Sequence, residues 1–184
     1  MSILKGKTVD LQLIEKEDYA QSFEWLQDWD FVGPFWPAIR HRTRHEAEKE
    51  FLEPKNPGLE LTRYFVVRKD GKKIGAISNF YCSQIYNWME IGYAMSPGER
   101  GRGYTTEAAQ ILVDFLFLSR QLARIQATVD VENKASQRVI EKAGFAREGL
   151  LRNAFWSTKG MWRNVYIYSI TRDEWKSPRV FGTR

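Results

Sequence analysis

A basic, glycine-rich turn between a predicted strand and a predicted helix constrains the fold more than any other feature. Residues 96–107 read Ser-Pro-Gly-Glu-Arg-Gly-Arg-Gly-Tyr-Thr-Thr-Glu. Pro97 ends the strand, Gly101 and Gly103 let the backbone bend without a Cβ in the way, and the first N–H groups of the next helix point at whatever lies there. The segment therefore predicts an anion site, with phosphate as the expected occupant. A dinucleotide fingerprint needs a third glycine where Thr106 stands, and the Gly-Lys-Ser/Thr of an NTPase phosphate loop is absent from the sequence.

The composition is that of one globular domain. The chain has 184 residues, of which 43% are hydrophobic and 28% charged. This length suits one sizeable core, so we expect a single domain over residues 1–184. No apolar run approaches membrane-spanning length, residues 1–10 lack the pattern of a secretory signal, and Cys82 is the only cysteine. These features predict a cytoplasmic protein without a disulfide and without a membrane partner.

The net charge of +5 favours an anionic partner, which leaves nucleic acid, an acidic protein and a polyanionic cofactor as alternatives. His41 and His45 have the spacing of two ligands on one helix face, but no third ligand is evident in the sequence, so no metal is predicted.

Hydrophobic periodicity predicts an α+β fold with a mainly antiparallel central sheet flanked by helices. The predicted strands are Thr8–Leu13, Tyr64–Arg68, Lys73–Phe80, Trp88–Met95, Arg124–Asp130, Phe145–Phe155 and Arg163–Ile170. The predicted helices are Glu15–Trp29, about His45–Leu52, Thr105–Ser119, and one that Asn133 caps and Gly144 ends. Asp70-Gly71 indicates a hairpin, and Phe31–Ile39, with two prolines, an irregular bridge.

Two ordered segments resemble the GNAT N-acetyltransferases. Arg100-Gly101-Arg102-Gly103-Tyr104 followed by Thr106-Glu107-Ala108 is similar to the acyl-coenzyme A loop of that family. Asn133-Lys134-Ala135-Ser136-Gln137-Arg138-Val139-Ile140-Glu141-Lys142-Ala143-Gly144-Phe145 resembles a segment of the ribosomal-protein N-terminal acetyltransferase (Rim-type) branch. The chain departs from the family pattern at Gly98, where Gln or Arg is frequent, and at Asn164, where Asp is frequent.

The resemblance implies a GNAT fold with a V-shaped opening between adjacent strands that end near Met95 and Asp130, where acetyl-coenzyme A binds. Arg100 and Arg102 are expected to face its phosphates, and a backbone N–H around Tyr93–Met95, at a bulge, is expected to polarise the acetyl carbonyl. The implied cofactor-binding residues are Tyr93, Ala94, Met95, Arg100, Gly101, Arg102, Gly103, Tyr104, Thr105, Asn133 and Ser136.

The resemblance also implies two catalytic side chains. Glu90 is expected to take the proton of the amine, directly or through water, and Ser136 to serve the leaving thiolate. Asn133 has two open readings, as the helix N-cap or as a contact to the pantetheine arm. Cys82 is placed in a loop with no matched base, which argues for direct attack by the amine and against an acyl-enzyme.

The implied function is transfer of an acetyl group to a primary amine, with a protein N-terminus as the first acceptor and an antibiotic or polyamine as the alternative. Aromatic residues are candidates for the acceptor groove, although most are expected in the core. They are Trp25, Trp29, Phe31, Phe35, Trp36, Trp156 and Trp162. A non-catalytic acyl-coenzyme A sensor remains an alternative function. A nucleic-acid-binding protein ranks last, because the aromatic residues do not alternate with the basic clusters as stacking platforms would. A homodimer is an open alternative for the oligomeric state.

Overall fold

The computed structural model describes residues 3–36, 43–52, 58 and 60–180. The strands are β1 (Ile3–Lys5), β2 (Val9–Leu13), β3 (Thr62–Arg68), β4 (Lys73–Ser83), β5 (Trp88–Met95), β6 (Arg124–Asp130), β7 (Ala146–Trp156) and β8 (Trp162–Thr171). The helices are α1 (Tyr19–Gln27), α2 (Trp29–Val32), α3 (Arg44–Leu52), α4 (Tyr104–Ser119) and α5 (Lys134–Lys142). None of the helices within these ranges is long and apolar enough to cross a membrane.

The strands form one eight-stranded sheet in the order β1-β2-β3-β4-β5-β6-β8-β7. The β5–β6 pair is parallel, and the pairs on either side of it are antiparallel. Short turns join most neighbouring strands, as antiparallel pairing allows, whereas the parallel β5–β6 connection runs through α4. The predicted α+β class with a mainly antiparallel sheet is confirmed.

The local signals in the sequence explain most element boundaries. Gly71 has φ +86° in the turn between β3 and β4, which is the conformation that its Asp-Gly pair predicts. Gly144 has φ +99° just after α5, as expected for a glycine that ends a helix. The apolar stripe of α4 is buried against the sheet, and each of its fully buried leucines contributes roughly 2 kcal/mol to the free energy of folding.

The first predicted helix is interrupted. Asp28 has an extended conformation (φ −84°, ψ 111°) between α1 and α2, and its Oδ1 accepts the Asp30 N–H at 2.9 Å. This side-chain bond competes with helix continuation, so the chain ends one helix and begins another. Phe31 therefore lies in α2 and not in an irregular bridge, while residues 37–39 of that bridge lie outside the described residues. The three-residue β1 was not predicted because it is too short to show a period.

The centre of the sheet opens into a V. The parallel β5–β6 pairing covers only Trp88–Glu90 against Arg124–Gln126. The pairing of β5 with β4 continues to Met95, and that of β6 with β8 continues to Asp130, so the two strands separate beyond Glu90. The predicted opening is confirmed.

The bulge expected at Tyr93–Met95 is wrong for the described β4–β5 pair. The register there runs without a shift from Gly75 opposite Met95 to Tyr81 opposite Met89. The separation of β5 from β6 frees backbone groups on that edge instead, without any extra residue in the strand.

Candidate active site

The glycine turn forms an open cradle at the N-terminus of α4. Gly101 has φ +78° and Gly103 has φ +85°, a region that L-residues rarely adopt. A Cβ built at either position meets no atom within 4 Å, so the space above both glycines is open. Gly103 is the N-cap of the sixteen-residue α4, and helix geometry leaves the N–H groups of Tyr104 and Thr105 without an intrahelical acceptor. Backbone donors and the helix dipole together suit a phosphate.

The two arginines of this turn differ in their surroundings. The Arg102 side chain is 57% exposed, and its nearest carboxylate oxygen, Glu99 Oε2, is 4.0 Å away. Arg100 instead donates from Nε to the Met95 carbonyl at 2.9 Å, and from Nη2 to two carbonyls of α2. The phosphate contact of Arg100 stays a prediction and competes with these bonds. The phosphate contact of Arg102 also stays a prediction, and it competes with the longer ion pair to Glu99.

Glu90 lies at the vertex of the V and is the last residue of β5 that pairs with β6. Its carboxylate accepts hydrogen bonds from Thr128 Oγ1 at 2.6 Å and Gln126 Nε2 at 2.9 Å. Both donors lie on β6, because the parallel register places Gln126 beside Glu90 and Thr128 two residues further on the same face. The carboxylate is thus held in one orientation at the point where an amine could approach the opening.

The predicted environment of Cys82 is wrong. It lies on β4 and not in a loop, and its Sγ is 3.4 Å from Glu90 Oε2, so a carboxylate does lie beside the thiol. Partial burial, the Glu90 charge and this hydrogen bond raise the pKa of the Cys82 thiol to about 12. The thiol therefore stays protonated near neutral pH, and protonated thiols are poor nucleophiles. The argument against an acyl-enzyme rests on the Glu90 carboxylate beside the thiol, whose negative charge disfavours the thiolate, and no longer on the lack of a base.

Two hydroxyl groups meet across the V. Tyr93 on β5 and Ser136 on α5 have their side-chain oxygens 2.8 Å apart. Burial raises the pKa of Tyr93, so its phenol is a proton donor at neutral pH. Asn133 Oδ1 accepts the Ser136 N–H at 3.1 Å and is thus the N-cap of α5, one of its two open readings. Its contact with the pantetheine arm stays a prediction, since the amide nitrogen takes no part in the capping bond.

An ion-pair network holds the loop between β6 and α5. Arg163 on β8 donates to both carboxylate oxygens of Asp130 at 2.7 Å and also pairs with Glu132. The Asp130 side chain is 1% exposed, and these charge-assisted bonds raise the pKa of Arg163 further. Gln137 adds hydrogen bonds to the carbonyls of Asp130 and Val131. The network fixes the position from which α5 presents its hydroxyl to the V.

The candidate aromatic residues divide between core and surface. Phe31 is buried and stacks on Trp25 with ring centroids 4.8 Å apart, so both belong to the packing beneath α1 and α2. Trp29 is 59% exposed, and Trp156 and Trp162 form an exposed edge-to-face pair at the end of the β7–β8 hairpin. Phe35 and Trp36 are half-buried, so they and the exposed tryptophans are the remaining candidates for an acceptor surface.

Sequence reasoning missed the polar partners of the predicted catalytic side chains. Thr128, Gln126 and the hydroxyl of Tyr93 carry no motif: the pairing of β5 with β6 brings the first two to Glu90, and the position of α5 beside β5 brings Ser136 to Tyr93. Among the residues that the structure describes, no group of three His, Cys, Asp or Glu side chains is arranged to hold a metal ion. His41 lies outside those residues.

Comparison with known proteins identifies the class. Residues 9–146 match the acetyltransferase (GNAT) domain family. The chain is 34% identical over 170 residues, 92% of its length and 96% of the relative's, to the uncharacterised N-acetyltransferase YnaD of Bacillus subtilis. It is 32% identical over 160 residues, 86% of this chain and 83% of the relative, to spermidine N(1)-acetyltransferase of Escherichia coli.

Solved structures show the same fold. Ribosomal-protein-S5-alanine acetyltransferase from Vibrio fischeri superposes with a TM-score of 0.78 at 22% identity over 96% of this chain and 100% of that one. Spermidine N-acetyltransferase from Vibrio cholerae, in complex with CoA and spermine, superposes with a TM-score of 0.80 at 20% identity over 91% and 98%.

The sheet with a central V and the glycine turn beside it agree with the family match, which identifies the class as an acetyltransferase. This chain belongs to the GNAT acetyltransferase family, and it is an acetyl-coenzyme A-dependent N-acetyltransferase. A spermidine acetyltransferase is among its sequence relatives, and a ribosomal-protein acetyltransferase is among the structures that share its fold.

Proposed function

We propose that this enzyme acetylates a primary amine by direct attack at the V, with Glu90 as the base. The observation that carries the proposal is the place of the Glu90 carboxylate at the vertex, held by Thr128 and Gln126. An amine is protonated at neutral pH and cannot attack until it loses a proton, so a fixed carboxylate supplies the required acceptor. The proton moves from the amine nitrogen to Glu90, directly or through one water.

Tyr93 and Ser136 serve the leaving group in this proposal. Acetyl-coenzyme A supplies the activated acetyl thioester. Ser136 donates a hydrogen bond towards the position of the departing sulfur and accepts one from Tyr93, whose phenol keeps its proton throughout. Backbone N–H groups on the free edge of Tyr93–Met95 stabilise the acetyl oxygen.

The glycine turn holds the phosphates of the cofactor. The N–H groups at Gly101, Gly103, Tyr104 and Thr105 bind the diphosphate, and the exposed Arg102 adds a charge-assisted contact. The fit rests on the open space above both glycines, where a Cβ would stand between the ligand and the backbone donors.

A protein N-terminal amine is the first acceptor we propose. The exposed tryptophans of α2 and of the β7–β8 hairpin offer apolar surface for the side chains of a peptide. A polyamine is the second candidate, supported by the 32% identity to a spermidine acetyltransferase.

The test is release of free thiol from acetyl-coenzyme A in the presence of a panel of amines. The panel contains peptides with a free N-terminus, the same peptides with that amine blocked, spermidine and an aminoglycoside. We expect turnover with free peptides and none with their blocked counterparts. Turnover with spermidine alone would replace the first acceptor by the second. Tight coenzyme A binding without thiol release on any amine would favour the sensor alternative.

A further inference from the structure

Arg100 connects the cofactor turn to the wall of the acceptor side. Its Nη2 donates to the carbonyls of Asp30 and Phe31 in α2 at 2.8 and 2.9 Å, and its Nε donates to the carbonyl of Met95 at 2.9 Å. One guanidinium therefore bonds to the end of β5 and to α2 at the same time. Arg100 itself directly precedes Gly101, the first glycine of the cradle.

The chain leaves these two α2 carbonyls in need of a donor. In a continuing helix Asp30 O would accept the N–H of residue 34, but residue 34 is proline and has none. Phe31 O would accept from residue 35, but Gly33, with φ +72°, has already turned the chain out of the helix. Arg100 satisfies both carbonyls, and its charge lies at the negative end of the helix.

The segment that follows α2 is held from the other side by the β7–β8 turn. The Thr158 N–H donates to the carbonyl of Trp36 at 3.1 Å, and Thr158 Oγ1 donates to that of Gly33 at 3.4 Å. Residues 29–36 thus lie between the cofactor turn and the final hairpin. Trp29 is the exposed aromatic residue of this stretch.

We propose that Arg100 is a positioning residue, which transmits cofactor occupancy from the glycine turn to α2 and so prepares the acceptor wall. The inference rests on the proposed phosphate site at Gly101–Gly103. A phosphate bound to the turn restrains the backbone from which Arg100 extends, and so restrains the guanidinium that already holds the α2 carbonyls. Rigidity gained in one site lowers the ordering cost in the other, so acetyl-coenzyme A promotes acceptor binding.

Linkage makes the effect reciprocal. If the cofactor increases the affinity for an acceptor by some factor, the acceptor increases the affinity for the cofactor by the same factor. Arg102 lies on the same turn, but its side chain is 57% exposed and its ion pair is with Glu99 on that turn, so it provides a matched comparison.

The test is amide hydrogen exchange over residues 29–33, measured with and without saturating coenzyme A, beside calorimetric titration of coenzyme A. In the wild-type protein the ligand should slow exchange in α2 about fivefold or more. Arg100→Gln should abolish that slowing. It should change the dissociation constant of coenzyme A only a few-fold, roughly by the factor through which each ligand increases the affinity for the other. Arg102→Gln should weaken coenzyme A binding and keep the slowing once the site is saturated.

Three results would overturn the inference. One is wild-type binding of coenzyme A without slowing in α2, which leaves the proposed function intact. Another is full slowing in Arg100→Gln. The third is a large loss of coenzyme A affinity in Arg100→Gln that Arg100→Lys restores, because a restored charge marks a phosphate ligand. If Arg100→Gln unfolds at too low a temperature for the exchange experiment, Arg100→Lys replaces it. This variant keeps the charge but lacks the planar guanidinium that bonds to both carbonyls, so it should also abolish the slowing. Absence of coenzyme A binding by the wild type would refute the phosphate site and the inference together.

Discussion

Glu90 is the side chain on which the proposed proton transfer depends. Glu90→Gln keeps the size and a hydrogen-bonding oxygen but cannot accept the proton, so turnover at neutral pH should fall by roughly 10² or more. The dissociation constant of coenzyme A should change little, because the glycine turn lies elsewhere. Steady-state kinetics and calorimetry measure the two effects. The control is Glu17→Gln, which removes an exposed carboxylate from the 3₁₀ turn Lys16–Asp18 before α1 and should be neutral. Turnover of Glu90→Gln within a few-fold of wild type would exclude Glu90 as the base.

The Tyr93 and Ser136 hydroxyls should act as one unit. Ser136→Ala and Tyr93→Phe each break the 2.8 Å contact, so each should lower the maximal rate, by about tenfold to a hundredfold, more than it weakens coenzyme A binding. The double variant should be scarcely slower than the slower single variant, since residues of one relay are not additive. Tyr86→Phe, at a residue that is 67% exposed, is the control. Additive losses would show that the two hydroxyls act separately.

The Cys82 thiol reports on the charge of Glu90. Its pKa of about 12 means that the reactive thiolate is scarce at neutral pH and grows only as the pH approaches that value. Alkylation by iodoacetamide should therefore be slow at pH 8 and rise steadily above it. In Glu90→Gln the neighbouring negative charge is gone, the pKa falls, and alkylation at pH 8 should become faster. Since the sequence has one cysteine, mass spectrometry measures it directly.

A second experiment on Cys82 distinguishes direct attack by the amine from an acyl-enzyme mechanism. Cys82→Ser should keep turnover within a few-fold of wild type, and the wild-type protein incubated with acetyl-coenzyme A alone should carry no acetyl group on the thiol. A stable acetyl-Cys82 that disappears on addition of an amine would contradict direct attack.

The glycine turn and α4 act together as one binding element. Gly103→Ala places a Cβ in the open space of the cradle and forces an L-residue into positive φ, which costs about 1–2 kcal/mol. The dissociation constant of coenzyme A should rise about tenfold or more, a loss of about 1.4 kcal/mol. Gly98→Ala is the matched control, because that glycine also has open space around it but no positive φ. Equal affinities of the two variants would place the phosphates elsewhere.

The Asp130–Arg163 pair joins distant parts of the chain, so it matters for the whole molecule. Asp130→Asn removes the buried charge that faces Arg163, which is only 10% exposed and then keeps Glu132 as its ion-pair partner, so the free energy of unfolding should fall by about 3 kcal/mol. For a chain of this size the melting temperature should fall by about 6–12 °C. Glu60→Gln breaks an exposed pair with Arg120 and should cost about 1 kcal/mol or less. Calorimetry measures the melting temperature of each variant. Equal decreases in the two variants would show that the buried pair stabilises the protein no more than the exposed pair does.

The sheet as a whole creates the site. Glu90, Tyr93 and Met95 lie on one strand, yet they matter together because β5 leaves β6 after Glu90. Beyond that residue one strand pairs with β4 and the other with β8, and the gap exposes backbone groups that a continuous sheet would use. A homodimer stays a prediction.

The sequence by itself determined the local features. Asp70-Gly71 specified a hairpin, Gly101 and Gly103 specified positive φ, and Asn133 specified the start of α5, because each depends on steric or hydrogen-bonding properties of a few adjacent residues. The α+β class followed from the periods of the apolar residues. Resemblance to a family then suggested Glu90 and Ser136, which no period or spacing could single out.

Only the tertiary structure decided which side chains meet. Thr128 contacts Glu90 across 38 positions of the chain, Tyr93 contacts Ser136 across 43, and Arg100 contacts Asp30 in α2 across 70. The sequence predicted Cys82 in a loop, whereas the pairing of β4 with β5 places it on a strand beside Glu90. Contacts between residues far apart in the chain depend on sheet register and helix packing, and these are set by the burial of the whole core, which no local stretch of sequence encodes.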